Sequence, residues 1–177
     1  VFLICHSFQL MCRHKKIGVV TKRKSPAFGI FPIHKTETGL HDPVFSGLPD
    51  PFYATDSREY QVIQPDWHRI RKEGYKILAI EKDRPHVPLE RALMSIRFSE
   101  EFFGTQFHPE ADPHGMIRYF TRTDKKEAII KNYGEDKYYK MVDMLDDPDK
   151  IVLTQSSVIP AFLSIAFEKV LQAAVYV

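Results

Sequence analysis

The chain opens with "VFLI" at residues 1–4, four apolar residues in a row. A short unbroken apolar run predicts a strand buried on both faces, as in a parallel sheet. "SFQLMCRH" follows and offers Phe8, Leu10 and Met11 to one side of a helix. The opening therefore reads as strand, sharp turn, helix, with Cys5 at the turn. "KIGVVTKRKS" and "AFGIFPIHKT" carry β-branched and alternating apolar residues and predict two further strands. "HDPVFSGLPDPFY" is rich in Pro, Gly and Asp and predicts mostly loop. "DWHRIRKEG" predicts a helix capped by Asp66 and closed by Gly74. "YKILAIEK" predicts a strand, and "ALMSIRFS" and "FFGTQFHP" two consecutive strands with a turn at residues 99–101.

Beyond about residue 111 the period changes. "ADPHGMIRYFTR", "KKEAIIKNYG", "DKYYKMVDML" and "SSVIPAFLSIAFEKVLQAA" all have helical spacing. The last presents Ile159, Phe162, Leu163, Ala166, Phe167, Val170 and Leu171 as an apolar stripe, expected to pack against the core. Strands alternating with helices point to an α/β fold, a doubly wound, mostly parallel sheet with a helical C-terminal extension. The expected division is a catalytic domain at residues 1–121 and the extension at 122–177.

Composition narrows the function. With 177 residues, 44% hydrophobic and 27% charged, the chain is of single-domain size and has material for a core. A net charge of +2 gives no basic field for nucleic acid, and the local clusters "HKK" and "KRK" read as solvated faces. No run is expected to reach the ~18 apolar residues of a membrane span. Two cysteines do not make a disulfide framework, and free thiols suggest the cytoplasm.

Those cysteines share the opening segment with two histidines. Cys5, His6, Cys12 and His14 could be read as metal ligands, but the spacing straddles a helix and adjacent Cys-His side chains diverge, so no metal site is expected. The chemistry of Cys5 is more telling. A residue at the turn from a buried strand into a helix sits at the carboxyl edge of the sheet, where α/β active sites lie. The helix N-terminus lowers a thiol's pKa, and the backbone N–H groups after the turn can receive an oxyanion. A thiol nucleophile needs a base and an orienter. "GTQFHPEAD" supplies His108 at a strand end, Pro109 to stop pairing, and Glu110 two residues on, able to turn back to one imidazole nitrogen.

"ICHSFQLM" and "GTQFHPEA" resemble the two signature motifs of class I, triad-type glutamine amidotransferases. The family's Cys-x-Gly-x-Gln reads here Cys5-His6-Ser7-Phe8-Gln9, with Ser7 in place of the elbow glycine, and Gln106-Phe107-His108-Pro109-Glu110 matches in full. "PVFSGLPDPFY" is similar to the family's loop toward the acceptor face. The nearest resemblance is to the GMP-synthase-like glutaminase domain, over roughly residues 1–122. It implies a flavodoxin-like fold, Cys5 attacking the side-chain amide of L-glutamine, His108 moving protons, and Glu110 orienting His108. It further implies the His6 backbone N–H as an oxyanion donor, Gln9 and Ser57 as substrate contacts, and no cofactor. Ser57 is otherwise read as a loop serine bonded to its own backbone. The implied products are glutamate and ammonia for a synthetase subunit, with a homo-oligomer the other partner considered. Two alternatives stay open: a γ-glutamyl or peptide hydrolase on the same fold, and a non-catalytic binding relative. The family also carries a Gly-rich oxyanion loop before the nucleophile strand, so the natural protein is expected to be longer by roughly 80 residues.

Cys12 reads as a helix residue packing on the sheet, Trp67 as packing, and His34, His41, His68 and His86 as solvated.

Overall fold

The computed structural model describes residues 1–86 and 88–175. Six strands form one sheet: β1 (Phe2–Ile4), β2 (Val19–Lys35), β3 (Phe52–Ile63), β4 (Lys76–Glu81), β5 (Leu93–Arg97) and β6 (Phe103–Thr105), in the order β1-β6-β5-β4-β2-β3. The helices are α1 (His6–His14), α2 (Glu37–Leu40), α3 (Trp67–Glu73), α4 (Pro113–Phe120), α5 (Thr123–Tyr133), α6 (Glu135–Asp146) and α7 (Leu153–Val175). The α/β class holds, but the mostly parallel pairing does not. Only β1 with β6 runs parallel among the described strands, and the remaining ladders are antiparallel. Parallel neighbours need a crossover of a dozen or more residues. The tight turn at residues 98–102 is too short for that and reverses the chain between β5 and β6.

Local chemistry sets the helix ends as expected. Asp66 accepts from the Arg69 N–H at 2.9 Å, and Gly74 closes α3 with φ 73°, a conformation that suits glycine. Asp112 caps α4, accepting from His114 and Gly115. The two strands expected at residues 16–36 are one long strand, β2, interrupted between Lys22 and Ala27. Its partner β3 begins inside the predicted loop, so Ser57 lies in a strand rather than in a loop. His34 likewise sits in β2, half-buried, while His41, His68 and His86 are exposed as expected. Trp67 does not pack: 54% of it is exposed.

Three apolar clusters hold these elements. Phe103, Phe45, Phe52 and Phe107 centre the first, their rings following one another in that order with centroids 5.4–5.7 Å apart. Phe8, Cys12, Ile17, Val62, Ile77 and Ile96 join α1 to the sheet. Ile30, Phe120, Ile129, Tyr138, Met141 and Leu145 join the C-terminal helices to β2. The helix α7 uses Val158, Phe162 and Ile165 against the first cluster. Leu163, Phe167, Val170 and Leu171 of its expected packing stripe face outward, each more than half exposed. The expectation that no run reaches spanning length is also corrected. Within Pro148–Gln172 an 18-residue window has mean hydropathy 1.5, long and apolar enough to cross a membrane by length and composition.

Charges are buried under the β2–β3 arm. Arg58, with a fully buried side chain, lies 3.0 Å from Asp56 and 3.2 Å from Glu81, and Arg23 and Arg84 each reach Glu81 at 3.0 Å. Burial pushes the Asp56 carboxyl up against the pull of Arg58 and Arg23. Burial acts on Glu81 in the same direction, but Arg58, Arg23 and Arg84 outweigh it and hold Glu81 below the usual range. A buried pair broken on one side leaves an uncompensated charge. Arg58→Met is therefore expected to lower the unfolding free energy by about 3–5 kcal/mol, read from urea denaturation; a loss under about 1 kcal/mol would contradict this account of the cluster.

Candidate active site

The site is built where β1 ends. The Cys5 N–H donates to the Thr105 carbonyl at 2.8 Å, so the thiol-bearing residue is still on the β6 ladder. One residue later the chain is helical. Cys5 bridges the two states with φ 48° and ψ −96°, a conformation disfavoured for a residue with a Cβ. Strain of this kind projects the side chain off the sheet edge. On β6, Gly104 permits the close approach of α1, since a Cβ there would lie 2.8 Å from the Phe8 ring.

Ser7, in the place of the family's glycine, has a structural role. Its hydroxyl donates to the Ile4 carbonyl at 2.9 Å and accepts from the Ile4 N–H at 2.8 Å. Ile4 is the β1 residue whose backbone faces away from β6, so the hydroxyl satisfies both of its polar groups. His6 opens α1 with an exposed ring; its N–H lies in the first turn, where a helix has no acceptor of its own.

The strand β3 crosses this edge. The His108 N–H donates to the Thr55 carbonyl at 2.9 Å, and the Cys5 thiol points to the Ser57 carbonyl at 3.8 Å. His108 Nδ1 is 2.6 Å from Glu110 Oε1, which leaves Nε2 for a bond to the Cys5 thiol. These two bonds, Cys5 first and then Glu110, raise the imidazole pKa to about 10 against the opposing effect of burial. On Glu110 burial pushes upward, but the His108 bond with a backbone hydrogen bond prevails and lowers the carboxyl. Imidazolium paired with carboxylate is thus the resting form at neutral pH.

Among the sequence candidates, Cys5, His108 and Glu110 lie at the same sheet edge. Gln9 is buried, with its amide nitrogen 3.3 Å from the Tyr60 carbonyl and 3.0 Å from Gln106 Oε1. Ser57 turns its hydroxyl side outward and meets the thiol through its backbone. Gln106 was not singled out from the sequence, yet its Nε2 lies 3.5 Å from the Cys5 sulfur. Its only sequence signal was its place in the second motif. Cys12 is fully buried and burial pushes its thiol far upward, as a packing residue requires.

The profile of the class-I glutamine amidotransferases matches residues 1–125. The chain belongs to this family. A glutamine amidotransferase from Thermotoga maritima superposes with a TM-score of 0.64 at 14% identity, covering 92% of this chain and 60% of that one. A glutamine amidotransferase from Methylobacillus flagellatus gives 0.57 at 14% identity, covering 93% and 62%. At this identity the likeness is one of fold, and the amidotransferase-family chain spans about three-fifths of the length of either structure. None of the curated proteins compared with it matches.

A group whose pKa rises on folding stabilises the fold below its unfolded value and loses that effect as pH climbs through its folded value. For His108 the window runs from about 6.5 to about 10. The stability advantage of wild type over His108→Gln is therefore expected to be largest near pH 6.5 and to shrink toward pH 10. Urea unfolding across that range measures it, and a pH-independent difference would refute the assignment.

Proposed function

We propose that this chain hydrolyses the side-chain amide of L-glutamine through a thioester on Cys5. The observation that carries the reading is the strained Cys5 at the β1–α1 turn, beside a histidine whose Nδ1 is 2.6 Å from Glu110. The Cys5 thiolate attacks the amide carbon, and the His6 N–H at the head of α1 donates to the oxyanion. The imidazolium of His108 gives its proton to the departing nitrogen, so the C–N bond breaks and ammonia leaves. Neutral His108 then takes a proton from water, whose oxygen attacks the thioester. Glutamate is released, the sulfur leaves as thiolate and His108 is protonated again. Glu110 keeps the imidazole in one orientation throughout. No metal or cofactor enters this sequence. Glutamine contacts are assigned to Gln9 through Oε1 and to Ser57.

Ammonia is of use only to an acceptor, so the partner is a synthetase subunit, in a GMP-synthase-like arrangement in the cytoplasm. Residues 1–121 carry the chemistry, and in the extension that follows α5 and α6 cap the β2–β3 arm through the cluster around Phe120, Ile129 and Tyr138.

Cys5→Ala is expected to abolish glutaminase activity and His108→Asn to lower kcat by at least about a hundredfold, both in variants that still unfold cooperatively in urea. Glutamate release from glutamine and from γ-glutamyl peptides is the assay. Undiminished hydrolysis by Cys5→Ala sinks the proposal, and preference for γ-glutamyl peptides replaces amidotransfer with peptide hydrolysis.

A further inference from the structure

The sulfur of Cys5 meets three groups: His108, the Ser57 carbonyl at 3.8 Å and the Gln106 side-chain amide at 3.5 Å. A carbonyl can only accept, whereas an amide end donates or accepts according to how it is turned. The direction of the Gln106 bond therefore decides what this residue does to the thiol.

The hydrogen-bond chain behind Gln106 settles that direction. It begins at the Tyr60 carbonyl, which is main chain and cannot be reversed. The end of Gln9 that lies 3.3 Å from it must be the NH2. The same nitrogen lies 3.0 Å from Gln106, so the end of Gln106 it meets must be the oxygen. The remaining NH2 of Gln106 faces the sulfur. Turning Gln106 alone would set two NH2 groups against each other. Turning both would press the Gln9 oxygen onto the Tyr60 carbonyl. Gln106 is 0% and Gln9 7% exposed, so water offers little relief from either conflict.

We infer that Gln106 is a positioning residue that donates a hydrogen bond to the Cys5 sulfur, its amide locked in that sense by Gln9 and the Tyr60 carbonyl. The inference rests on the reading of Cys5 as the nucleophile. A donor bonds a thiolate more strongly than a thiol, because the bond becomes charge-assisted on ionisation. A low-dielectric surrounding strengthens the preference. The same bond, set against the Ser57 carbonyl and His108, restrains the sulfur on a backbone already fixed at φ 48°. Gln9 acts one step back, through Gln106.

Alkylation of Cys5 by iodoacetamide, followed by mass spectrometry as a function of pH, tests this on the whole chain. Gln106→Leu is expected to slow alkylation about four- to tenfold at neutral pH and to move the acid limb of the profile upward. The alkaline plateau stays at least as high, since a less stabilised thiolate is the better nucleophile. A purely structural role would lower the whole profile instead. Gln106→Glu, which keeps the shape but turns an oxygen to the sulfur, is expected to be worse than Gln106→Leu. Gln9→Leu shifts the profile less, and the double variant Gln9→Leu/Gln106→Leu matches Gln106→Leu, because the two act in series. In the glutaminase assay Gln106→Leu lowers kcat more than it raises KM. An unshifted acid limb in Gln106→Leu with a wild-type urea midpoint overturns the inference. Should that variant unfold, an unshifted limb in both Gln106→Glu and Gln9→Leu does so. Failure of Cys5→Ala to abolish glutaminase activity would overturn the proposed reaction instead, and leaves the alkylation profiles readable on their own.

Discussion

The parallel pairing of β1 with β6 is the constraint on which the site depends. Ile4 stands opposite Thr105, and the Cys5 N–H completes the ladder by bonding the Thr105 carbonyl. The register brings two motifs together although they lie at opposite ends of the matched region. With Ile4 opposite Thr105, the next residue on each strand is Cys5 on one side and Gln106 on the other, and His108 follows within the same edge. A slip by one residue would turn every side chain to the other face and separate the thiol from its base. Gly104 protects the arrangement by letting Phe8 approach, so that α1 can leave β1 without a connecting loop.

Because the strand hands over to the helix in one residue, Cys5 carries the strain. Its neighbours compensate. Ser7 bonds both backbone groups of Ile4, and β3 supplies carbonyls to His108 and to the thiol. The electrostatics follow from the same geometry. Bonds to Cys5 and Glu110 raise the His108 pKa, so its imidazole holds a proton at neutral pH. Holding the charge on a half-buried imidazole costs desolvation, which the two bonds more than offset.

The long arm of β2 and β3 is the second element of the design. It curls from the far end of the sheet order to cross the site, and it carries Asp56 and Arg58 inward on either side of Ser57. Arg58 pairs with Asp56 and with Glu81, which Arg23 also meets, so the cluster ties β3 to β4 and β2. Buried charges are poor sources of net stability, but a broken member is costly. The cluster thus fixes where β3 lies, and through it the carbonyls of Thr55, Ser57 and Tyr60. The C-terminal helices cover the outer face of the arm, while α7 packs by one edge and leaves Leu163, Phe167 and Val170 exposed.

The amino-acid sequence determined the local chemistry. Residues 1–14 spelled strand, turn and helix because apolar run and helical spacing change at Cys5, and "QFHPE" spelled a histidine with its orienter because Pro109 ends a strand and Glu110 sits within reach. Asp66 and Gly74 announced helix ends through capping groups that act within a turn. What only the tertiary structure decided concerns pairing and burial. Beyond β1, strand direction was not legible, because the remaining strands carry no pattern that names their partners, and direction lies in the connections. The strand β3 was hidden because charged Asp56 and Arg58 occupy its inward positions, and burial of a charge depends on partners distant in sequence. The stripe on α7 has the spacing of a packing face, but spacing says nothing about whether a neighbour is there. Gln106 acquires its place at the thiol from Gln9 and the Tyr60 carbonyl, three segments brought together by the fold, and no local pattern encodes which way an amide will point.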